Sequence, residues 1–463
     1  MMDNLPFFSA TDLLAGYRRK TFSPVEATRA VFQQIERHNS KFNAFCLLDE
    51  EAAIAAARES EARWMCGMPR GLVDGVPTTI KDLLITKGWP TLRGSTTISP
   101  DQDWAEDAPA VARLREHGAV FVGKTTTPEF GWKPLTDSIL SGITRNPWNA
   151  EMTAGGSSGG AAVAAALGMG ALHLGTDAAG SIRIPSSFSG VFGLKPTHGR
   201  VPSHPATPNS GFAHVGPMAR TVADAALMLS VIARYDPRDS YALPQDARDW
   251  RIGLEQGVYG LRIAFAPTID GARVDPGVAA IVRDAAQRFS DLGALVEERE
   301  PPLDGAREAL FILYRAAVQS LVSSMPPGQR EKLEPALLEF AEEAKTVGLP
   351  EYLEAMRARE QLTTALNAFF QTCDLLVLPS VPIVAFEAGK LVPESGEYSS
   401  WFDWTPFSGP FNLTKVPAAS VPCGLHRGLP VGLQVVGPLF REDLVLMACR
   451  AFESLCPILS PAR

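Results

Sequence analysis

The chain has 463 residues and a formal net charge of −8, with 46% of its residues hydrophobic and 20% charged. These proportions are ordinary for a globular protein, and the acidic balance argues against a partner with a phosphate backbone. The length would allow two or three average domains, although large α/β enzymes often form one unit of this size.

The six cysteines are scattered without CxxC spacing, which fits reduced thiols in a cytoplasmic protein and predicts no zinc or other metal site. The first residues, MMDNLPFFSATDLL, lack a basic stretch followed by an apolar run, so we expect no signal peptide. Because no uncharged run reaches the ~18 residues that a membrane span needs, we expect no membrane association.

The N-terminal part of the chain reads as helices. Two helices are predicted within residues 9–37, and the second begins at the stretch SPVE, where Ser23 is the cap and Glu26 completes a capping box. Residues 51–64 form an alanine-rich helix with acidic residues in its first turn, where the helix dipole favours them.

A strand predicted over residues 73–80 ends at Lys81 and Asp82. A lysine drawn into a buried site loses hydration, so its pKa falls and its amine can be neutral near pH 7. Most lysines are solvated surface charges, but the apolar run before Lys81 makes it a candidate proton acceptor.

Residues 118–125 match the Walker A string, which needs a strand before its first glycine and a helix after its threonine. Here a strand predicted over residues 119–122 follows a helix over residues 107–117 and lies inside the motif, and a proline discourages the helix that should follow. We therefore predict no nucleotide binding. Phe130 and Trp132, in the next loop, are candidates for the wall of a substrate pocket.

Residues 153–199 are crowded with Gly, Ala and Ser and contain two serine clusters, GGSSGG at 155–160 and DAAGS at 177–181. Glycine-rich turns can present free backbone N–H groups to an anion, and such groups beside a serine form an oxyanion hole. Ser181 is therefore a candidate nucleophile, and the candidate oxyanion hole consists of the N–H groups of Ala178, Ala179, Gly180 and Ser181.

Ser157 or Ser158 is the candidate partner of this nucleophile. Because neither serine cluster contains a histidine, the base is expected to be a lysine or a distant histidine. A GxSxG string would instead make Ser158 the nucleophile of an α/β-hydrolase elbow, but residues 146–153 read as loop where that elbow requires a strand.

Asp177 and Arg183 are charges in a small, apolar stretch. Because buried charges are normally paired, we expect them to support the loop around the candidate nucleophile. Residues 161–174 are predicted as a buried helix. His198 and His204 follow and are interpreted as structural or surface residues.

The remaining chain is predicted to contain further helices and strands. The helices cover residues 221–234, which look amphipathic, 278–292, most of 306–370, and 442–453. The strands cover residues 261–265, 374–379, 416–421 and 431–436. An aromatic cluster between them could line an acyl pocket or belong to the core, and Trp404 and Phe407 are its pocket candidates.

These motifs resemble the amidase signature family of serine hydrolases. The matching segments are GVPTTIKD at 75–82, GGSSGG at 155–160, DAAGS at 177–181, SIRIP at 181–185 and GLKPT at 193–197. The resemblance covers residues 23–453 and is weakest between 241 and 374. It implies an α/β fold, a single large domain whose central mixed, mostly parallel twisted sheet is covered by helices on both faces.

Within a single domain spanning residues 1–463, the resemblance implies four parts. They are an N-terminal helical layer (1–70), a catalytic core (71–235), a variable and mostly helical region (236–373), and C-terminal strands with a closing helix (374–463).

The resemblance also implies a mechanism, in which Ser181 attacks an amide carbonyl, Ser157 passes the proton to neutral Lys81, and water later cleaves the acyl-enzyme. The family's relay serine follows a cis peptide bond, and Ser158 has a supporting role. No cofactor or metal is implied. This chain has Ala179 where the family commonly has glycine, which narrows the oxyanion loop.

The predicted function is therefore an amide hydrolase that acts on a small molecule and releases ammonia or an amine. An alternative is the glutamine-hydrolysing subunit of a tRNA-dependent amidotransferase, which would add a nucleic-acid partner, but the loop TPEFGW at 127–132 differs from the Met-Asp-Glu-Phe version of such subunits. A non-catalytic binding protein is disfavoured because all three catalytic side chains are present. A homodimer is a further expectation from the family.

Overall fold

The computed structural model describes residues 2–246, 248–458 and 460–461, with the side chains of residues 2 and 3 left out. The few other positions of the predicted domain lie outside the described residues. The strands are β1 (Phe45–Leu48), β2 (Pro77–Lys81), β3 (Val120–Thr125), β4 (Asp137–Ser138), β5 (Gly142–Ile143), β6 (Leu172–Asp177), β7 (Phe192–Lys195), β8 (His214–Ala219), β9 (Arg262–Phe265), β10 (Leu295–Glu298), β11 (Leu375–Pro379), β12 (Ala418–His426) and β13 (Leu429–Val436).

The helices separate these strands along the chain. They are α1 (Ala10–Arg19), α2 (Pro24–Phe42), α3 (Glu50–Met65), α4 (Pro109–Glu116), α5 (Gly159–Ala166), α6 (Arg183–Ser189), α7 (Val222–Ile232), α8 (Pro276–Asp291), α9 (Ala306–Ser323), α10 (Pro327–Arg330), α11 (Pro335–Glu343), α12 (Leu349–Phe369), α13 (Gly409–Leu413) and α14 (Glu442–Leu455). Within the described ranges, no helix has both the length and the apolar character of a membrane span.

In the described part of the chain, eleven strands form one mixed sheet in the order β1-β3-β2-β6-β8-β7-β12-β13-β11-β9-β10. The predicted mixed α/β architecture is confirmed, but the expectation of mostly parallel strands is wrong. The parallel pairs are β2 with β3, β2 with β6, β9 with β10, and β9 with β11. The middle of the sheet is antiparallel, partly because β12 and β13 form a hairpin with His426 opposite Leu429, and a two-residue turn cannot join parallel strands.

Helices cover both faces of this sheet, as the sequence predicts. On β11, Leu375 and Val377 pack into a core shared with α7, α8 and α14, whereas Leu376 and Leu378 pack into a second core shared with α9, α11 and α12. Side chains alternate across a strand, so a strand that is apolar throughout must be covered on both faces.

Two predicted helices differ from the structure. The helix expected over residues 161–174 ends at Ala166, because Gly168 adopts a φ of 69° and turns the chain toward β6. The helix α7 is almost entirely buried instead of amphipathic, because α4 and α14 cover the side that would face solvent.

The N-terminal helices pack on the rest of the domain through specific polar contacts. The carboxylate of Asp224 in α7 accepts hydrogen bonds from the N–H groups of Ala10 and Thr11 at 2.9 and 3.0 Å. The hydroxyl of Tyr17 donates to the carbonyl oxygen of Gly75 at 3.1 Å, just before β2. The division of the domain into four parts remains a prediction.

The capping box of α2 provides a test of local stability. Ser23 Oγ accepts the N–H of Glu26 at 3.2 Å, and the Glu26 carboxylate accepts the N–H of Ser23 at 2.7 Å. Ser23→Ala should lower the free energy of unfolding by about 1 kcal/mol, measured by urea denaturation. Ser40→Ala, at an exposed position in the last turn of α2, is the matched control and should cause no loss.

Candidate active site

Two neighbouring parallel strands bring the predicted catalytic groups to one edge of the sheet. β2 and β6 pair with Ile80 opposite Leu174, so their carboxyl ends lie side by side. Lys81 is the last residue of β2 and Asp177 the last of β6. In open α/β sheets, ligands bind outside the carboxyl ends of the strands, which makes this edge the place for a site.

The amine of Lys81 is fully buried among hydroxyl groups. Its Nζ lies 2.7 Å from Ser157 Oγ, 2.8 Å from Ser158 Oγ and 2.9 Å from Thr176 Oγ1. Burial lowers the pKa of Lys81 well below its ordinary value, and the charge of Asp177 opposes that shift in part. Among the described residues no carboxylate lies within ion-pair distance of this amine, so the neutral form, a proton acceptor, is favoured.

The two adjacent serines near this amine occupy different surroundings. The peptide bond Gly156–Ser157 is cis, and Ser157 borders a cavity. Ser158 is fully buried, and its hydroxyl donates to the carbonyl oxygen of Thr176 at 3.1 Å. Residues 146–153 form turns and isolated bridges in place of the strand that a nucleophile elbow requires. Ser158 is therefore positioned to support Lys81 and not to meet a substrate.

Ser181 lies on the loop between β6 and α6 and borders the same cavity as Ser157. In the part of the chain that the structure describes, its hydroxyl makes no hydrogen bond, so it is free to face a substrate. The N–H of Ser158 donates to the carbonyl oxygen of Ser181 at 3.0 Å. This bond ties the two serine clusters together across the site.

A buried ion pair holds the loop around Ser181. Arg183 Nη2 lies 2.9 Å from Asp177 Oδ1, and its Nε lies 3.0 Å from Asp177 Oδ2. Although burial by itself raises the pKa of Asp177, the charge and hydrogen bonds of Arg183 hold it well below its usual range. Arg183 also donates to the side chains of Asn412 and Gln434, so the pair is enclosed and satisfied, as a supporting role requires.

Gly180 does not offer a free N–H to the predicted oxyanion hole. Its amide donates to Asp177 Oδ1 at 2.7 Å, because an aspartate side chain readily accepts from the backbone that follows it. The expectation that all four amides of this loop face an oxyanion is therefore wrong for this residue. The amides of Ala178, Ala179 and Ser181 have no acceptor among the described residues.

The loop could not accommodate a side chain at Gly180. Its φ is 120°, and an added β-carbon would lie 2.2 Å from Ser408 Oγ. The Ser408 hydroxyl also donates to the carbonyl oxygen of Ala179 at 2.7 Å. Ala179, the residue that departs from the family pattern, is thus held in place through its backbone carbonyl group.

The serines open into a cavity of about 1000 Å³, its mouth included. Phe130 and Trp132, two of the predicted pocket residues, line it. Helix α9 continues this wall with Tyr314, Ala317, Val318 and Leu321. Polar residues of the 203–209 loop lie on the lining as well, among them His204.

Trp404 and Phe407 are absent from the described lining of the cavity, so their prediction as pocket residues is wrong. Both are fully buried, and Trp404 stacks on Phe188 with ring centroids 6.0 Å apart. The reason is that large aromatic rings bury the most apolar surface in a core. Trp401, from the same cluster, packs against Tyr314 and supports the wall from behind.

His198 and His214 are buried and held by contacts within the protein. Burial lowers the pKa of His198 to about 4, and its Nε2 lies 2.7 Å from the carbonyl oxygen of Ser210. His214 also lines the cavity, and burial together with the charge of Lys195 holds its pKa well below the usual range. Both rings are therefore neutral near pH 7.

Lys124, the lysine of the Walker A string, has a partner within the protein. Lys124 is fully buried, and its Nζ forms an ion pair with Asp82 at 3.1 Å. Strand β3 occupies the motif, and a strand cannot wrap around phosphates as a glycine loop does. The prediction of no nucleotide binding at this string agrees with that placement.

Sequence reasoning missed several residues of the site. Thr176 completes the hydroxyl shell of Lys81, and Arg93 and His214 line the cavity. On α9, Tyr314, Val318 and Leu321 recur at helical spacing, which reveals a buried face but not the cavity that this face meets. The missed groups come from four separate stretches of chain, and no local pattern links them.

Comparison with known proteins places the chain in a family. Residues 26–446 match the family model described as Amidase. The acylamidase of Rhodococcus erythropolis is 35% identical, over 98% of this chain and 96% of that protein. A glutamyl-tRNA(Gln) amidotransferase subunit from Moorella thermoacetica is 35% identical, over 97% of this chain and 96% of that protein.

A solved structure agrees with this assignment. A bacterial aryl acylamidase of the amidase signature family superposes with a TM-score of 0.89 and 29% identity, covering 97% of this chain and 96% of the other. The chain belongs to the amidase family, and it is an amide hydrolase, as the motifs predict.

The buried pair behind Ser181 provides a second prediction. Arg183→Met would leave the Asp177 carboxylate buried without its cation, so the free energy of unfolding should fall by about 3 to 5 kcal/mol. Arg238→Met, which breaks the partly exposed pair with Asp236, should cost less than about 1 kcal/mol. Equal losses in urea denaturation would contradict a special role for the buried pair.

Proposed function

We propose that the protein hydrolyses linear amides with Ser181 as nucleophile, Ser157 as proton relay and Lys81 as base. Ser181 Oγ bonds to the amide carbonyl carbon while its proton moves to Ser157, which passes its own proton to Lys81 Nζ. The observation that carries this proposal is the buried Lys81 amine, which lies 2.7 Å from Ser157 Oγ.

The oxyanion that forms in this step needs donors that are already in place. The free amides of Ala178, Ala179 and Ser181 are suited to that task, since preorganised N–H groups stabilise the charge of a tetrahedral intermediate. Collapse then breaks the C–N bond, and the proton on Lys81 returns through Ser157 to the leaving nitrogen. The amine departs and an ester on Ser181 remains.

Water completes the cycle by the same route. Its oxygen attacks the ester carbon and its proton passes through Ser157 to Lys81. Cleavage of the ester C–O bond releases the acid, and the proton returns to Ser181 Oγ. Bonds and protons balance, with one water consumed for each amide cleaved.

The apolar wall formed by Phe130, Trp132 and α9 supports a small-molecule amide with an apolar portion. The relatives named acylamidase and aryl acylamidase support the same class. Whether the released product is ammonia or a larger amine depends on the group attached to the amide nitrogen of the substrate.

The second candidate is a glutamine-hydrolysing amidotransferase subunit, which the relative from Moorella thermoacetica favours. Such a protein would deliver ammonia to a partner acting on tRNA. We prefer the free-standing amidase, because residues 127–132 read TPEFGW in place of the loop usual in those subunits.

Ser181→Ala and Ser157→Ala test the proposed roles. Ammonia release from benzamide, propionamide, biuret and glutamine should be detectable with the native enzyme for at least one amide. Ser181→Ala should lower kcat by at least about 10⁴-fold, because no acyl-enzyme can form. Full activity of Ser157→Ala would contradict the role of Ser157 as proton relay. Turnover of glutamine alone would favour the second candidate function.

The pH dependence tests Lys81. The protonated amine cannot accept a proton, so kcat/KM should fall as pH decreases through the pKa of Lys81 and should level off above it. Because burial lowers this pKa, the fall in kcat/KM should be centred well below the ordinary lysine pKa of about 10.4. A fall centred at that ordinary value would contradict a neutral base. Lys81→Arg should be inactive at every pH tested.

A further inference from the structure

Arg93 brings an unpaired positive charge to the candidate active site. Its side chain lines the same cavity as Ser157 and Ser181. Within the described residues, the guanidinium group makes neither a hydrogen bond nor an ion pair. The residue is partly exposed, and its guanidinium carries five N–H donors in a planar fork, a geometry that matches an anion such as a carboxylate.

The nearby carboxylates are already used by other groups. Asp82, whose charge acts on Arg93, pairs with Lys124 at 3.1 Å. Asp177, the carboxylate on the described lining of the cavity, is held by Arg183. Burial lowers the pKa of Arg93, and the charge of Asp82 offsets only part of this shift.

The backbone fixes the place of Arg93 beside the relay serine. Its φ of 55° is uncommon for a residue other than glycine. The N–H of Phe130 donates to the carbonyl oxygen of Arg93 at 2.8 Å. The next residue, Gly131, lies against Ser157, because a β-carbon built on it would be 3.4 Å from Ser157 Oγ.

The charge pattern of the cavity indicates what this cation meets. Histidines aside, the described lining carries two formal charges, Arg93 and Asp177, and Asp177 is neutralised. The same lining includes the apolar residues Leu83, Leu84 and Phe130. A single fork in an apolar wall suits a planar monoanion, whereas a phosphate group usually engages several donors.

We propose that Arg93 is a specificity-determining residue that binds a carboxylate on the substrate, so the enzyme prefers amides that carry a second, ionised carboxyl group. This inference rests on the proposed function and names the substrate class of the same site. The carboxylate can belong to the acyl portion, as in a half-amide of a dicarboxylic acid, or to the amine portion, as in an acylated amino acid.

Matched substrate pairs test the proposal. Three pairs differ in the carboxylate, namely glutaramate with pentanamide, terephthalamate with p-toluamide, and N-butanoyl-γ-aminobutyrate with N-butylbutanamide. The native enzyme should prefer the charged member of at least one pair, and the pair that responds identifies the acyl or the amine side. Equal kcat/KM for both members of every pair would overturn the proposal.

Variants separate recognition from simple loop support. Arg93→Gln should lower kcat/KM for the preferred charged amide by about 10- to 150-fold, the range for a hydrogen bond to a charged group, and leave its neutral partner within about twofold. Arg93→Lys should restore part of the preference. Lys87→Gln removes an exposed charge from the same loop after β2 and should leave kcat/KM unchanged for both members of the pair. Equal losses for both members in Arg93→Gln would overturn the proposal.

A binding measurement distinguishes failure of this inference from failure of the proposed reaction. Titration calorimetry of glutarate and terephthalate into Ser181→Ala needs no turnover, and the same titration into Ser181→Ala with Arg93→Gln should show at least about tenfold weaker binding. If no amide is hydrolysed but this difference is found, the reaction fails and carboxylate recognition stands. Equal affinities in the two variants, or preferential binding of inorganic phosphate, would overturn the carboxylate assignment.

Discussion

The site depends on one constraint: the Lys81 amine is removed from water and, among the described residues, has no paired carboxylate. Lys81 and Lys124 lie near the ends of adjacent parallel strands, and both are fully buried. Lys124 has Asp82 at 3.1 Å and remains an ion pair. Lys81 instead meets three hydroxyl groups, and the more distant charge of Asp177 opposes its loss of hydration only in part. Two chemically identical side chains thereby become a structural cation and a candidate base.

The loop after β6 is organised around the complementary problem of a buried carboxylate. Asp177 accepts from the amides of Gly180 and Ile182 and pairs with Arg183. The bond from Gly180 engages one of the four amides expected to bind an oxyanion. The other three have no acceptor within the part of the chain that the structure describes. Removal of the carboxylate would therefore affect both stability and the geometry around Ser181.

Local patterns predict most elements but not how strands pair. The capping box at Ser23 and the strand before Lys81 follow from capping chemistry and apolar periodicity, which act over a few residues. The helix predicted over residues 161–174 is wrong in its second half because a short apolar run is compatible with both helix and strand, and β6 is one of the strands that hold the site. The parallel or antiparallel direction of each pair depends on chain connections that periodicity does not encode.

The amino-acid sequence alone identified the family and the α/β class and named Lys81, Ser157 and Ser181 as candidate site residues, because the motifs that carry them are long and ordered. It did not reveal that the Gly180 amide is engaged, that Trp404 lies in the core, or that the Arg93 side chain lines the cavity with no hydrogen-bond or ion-pair partner among the described residues. Those features depend on burial and on contacts between segments far apart in the chain. A charge becomes costly, and hence informative, once packing removes its water and determines which counter-charges lie within reach.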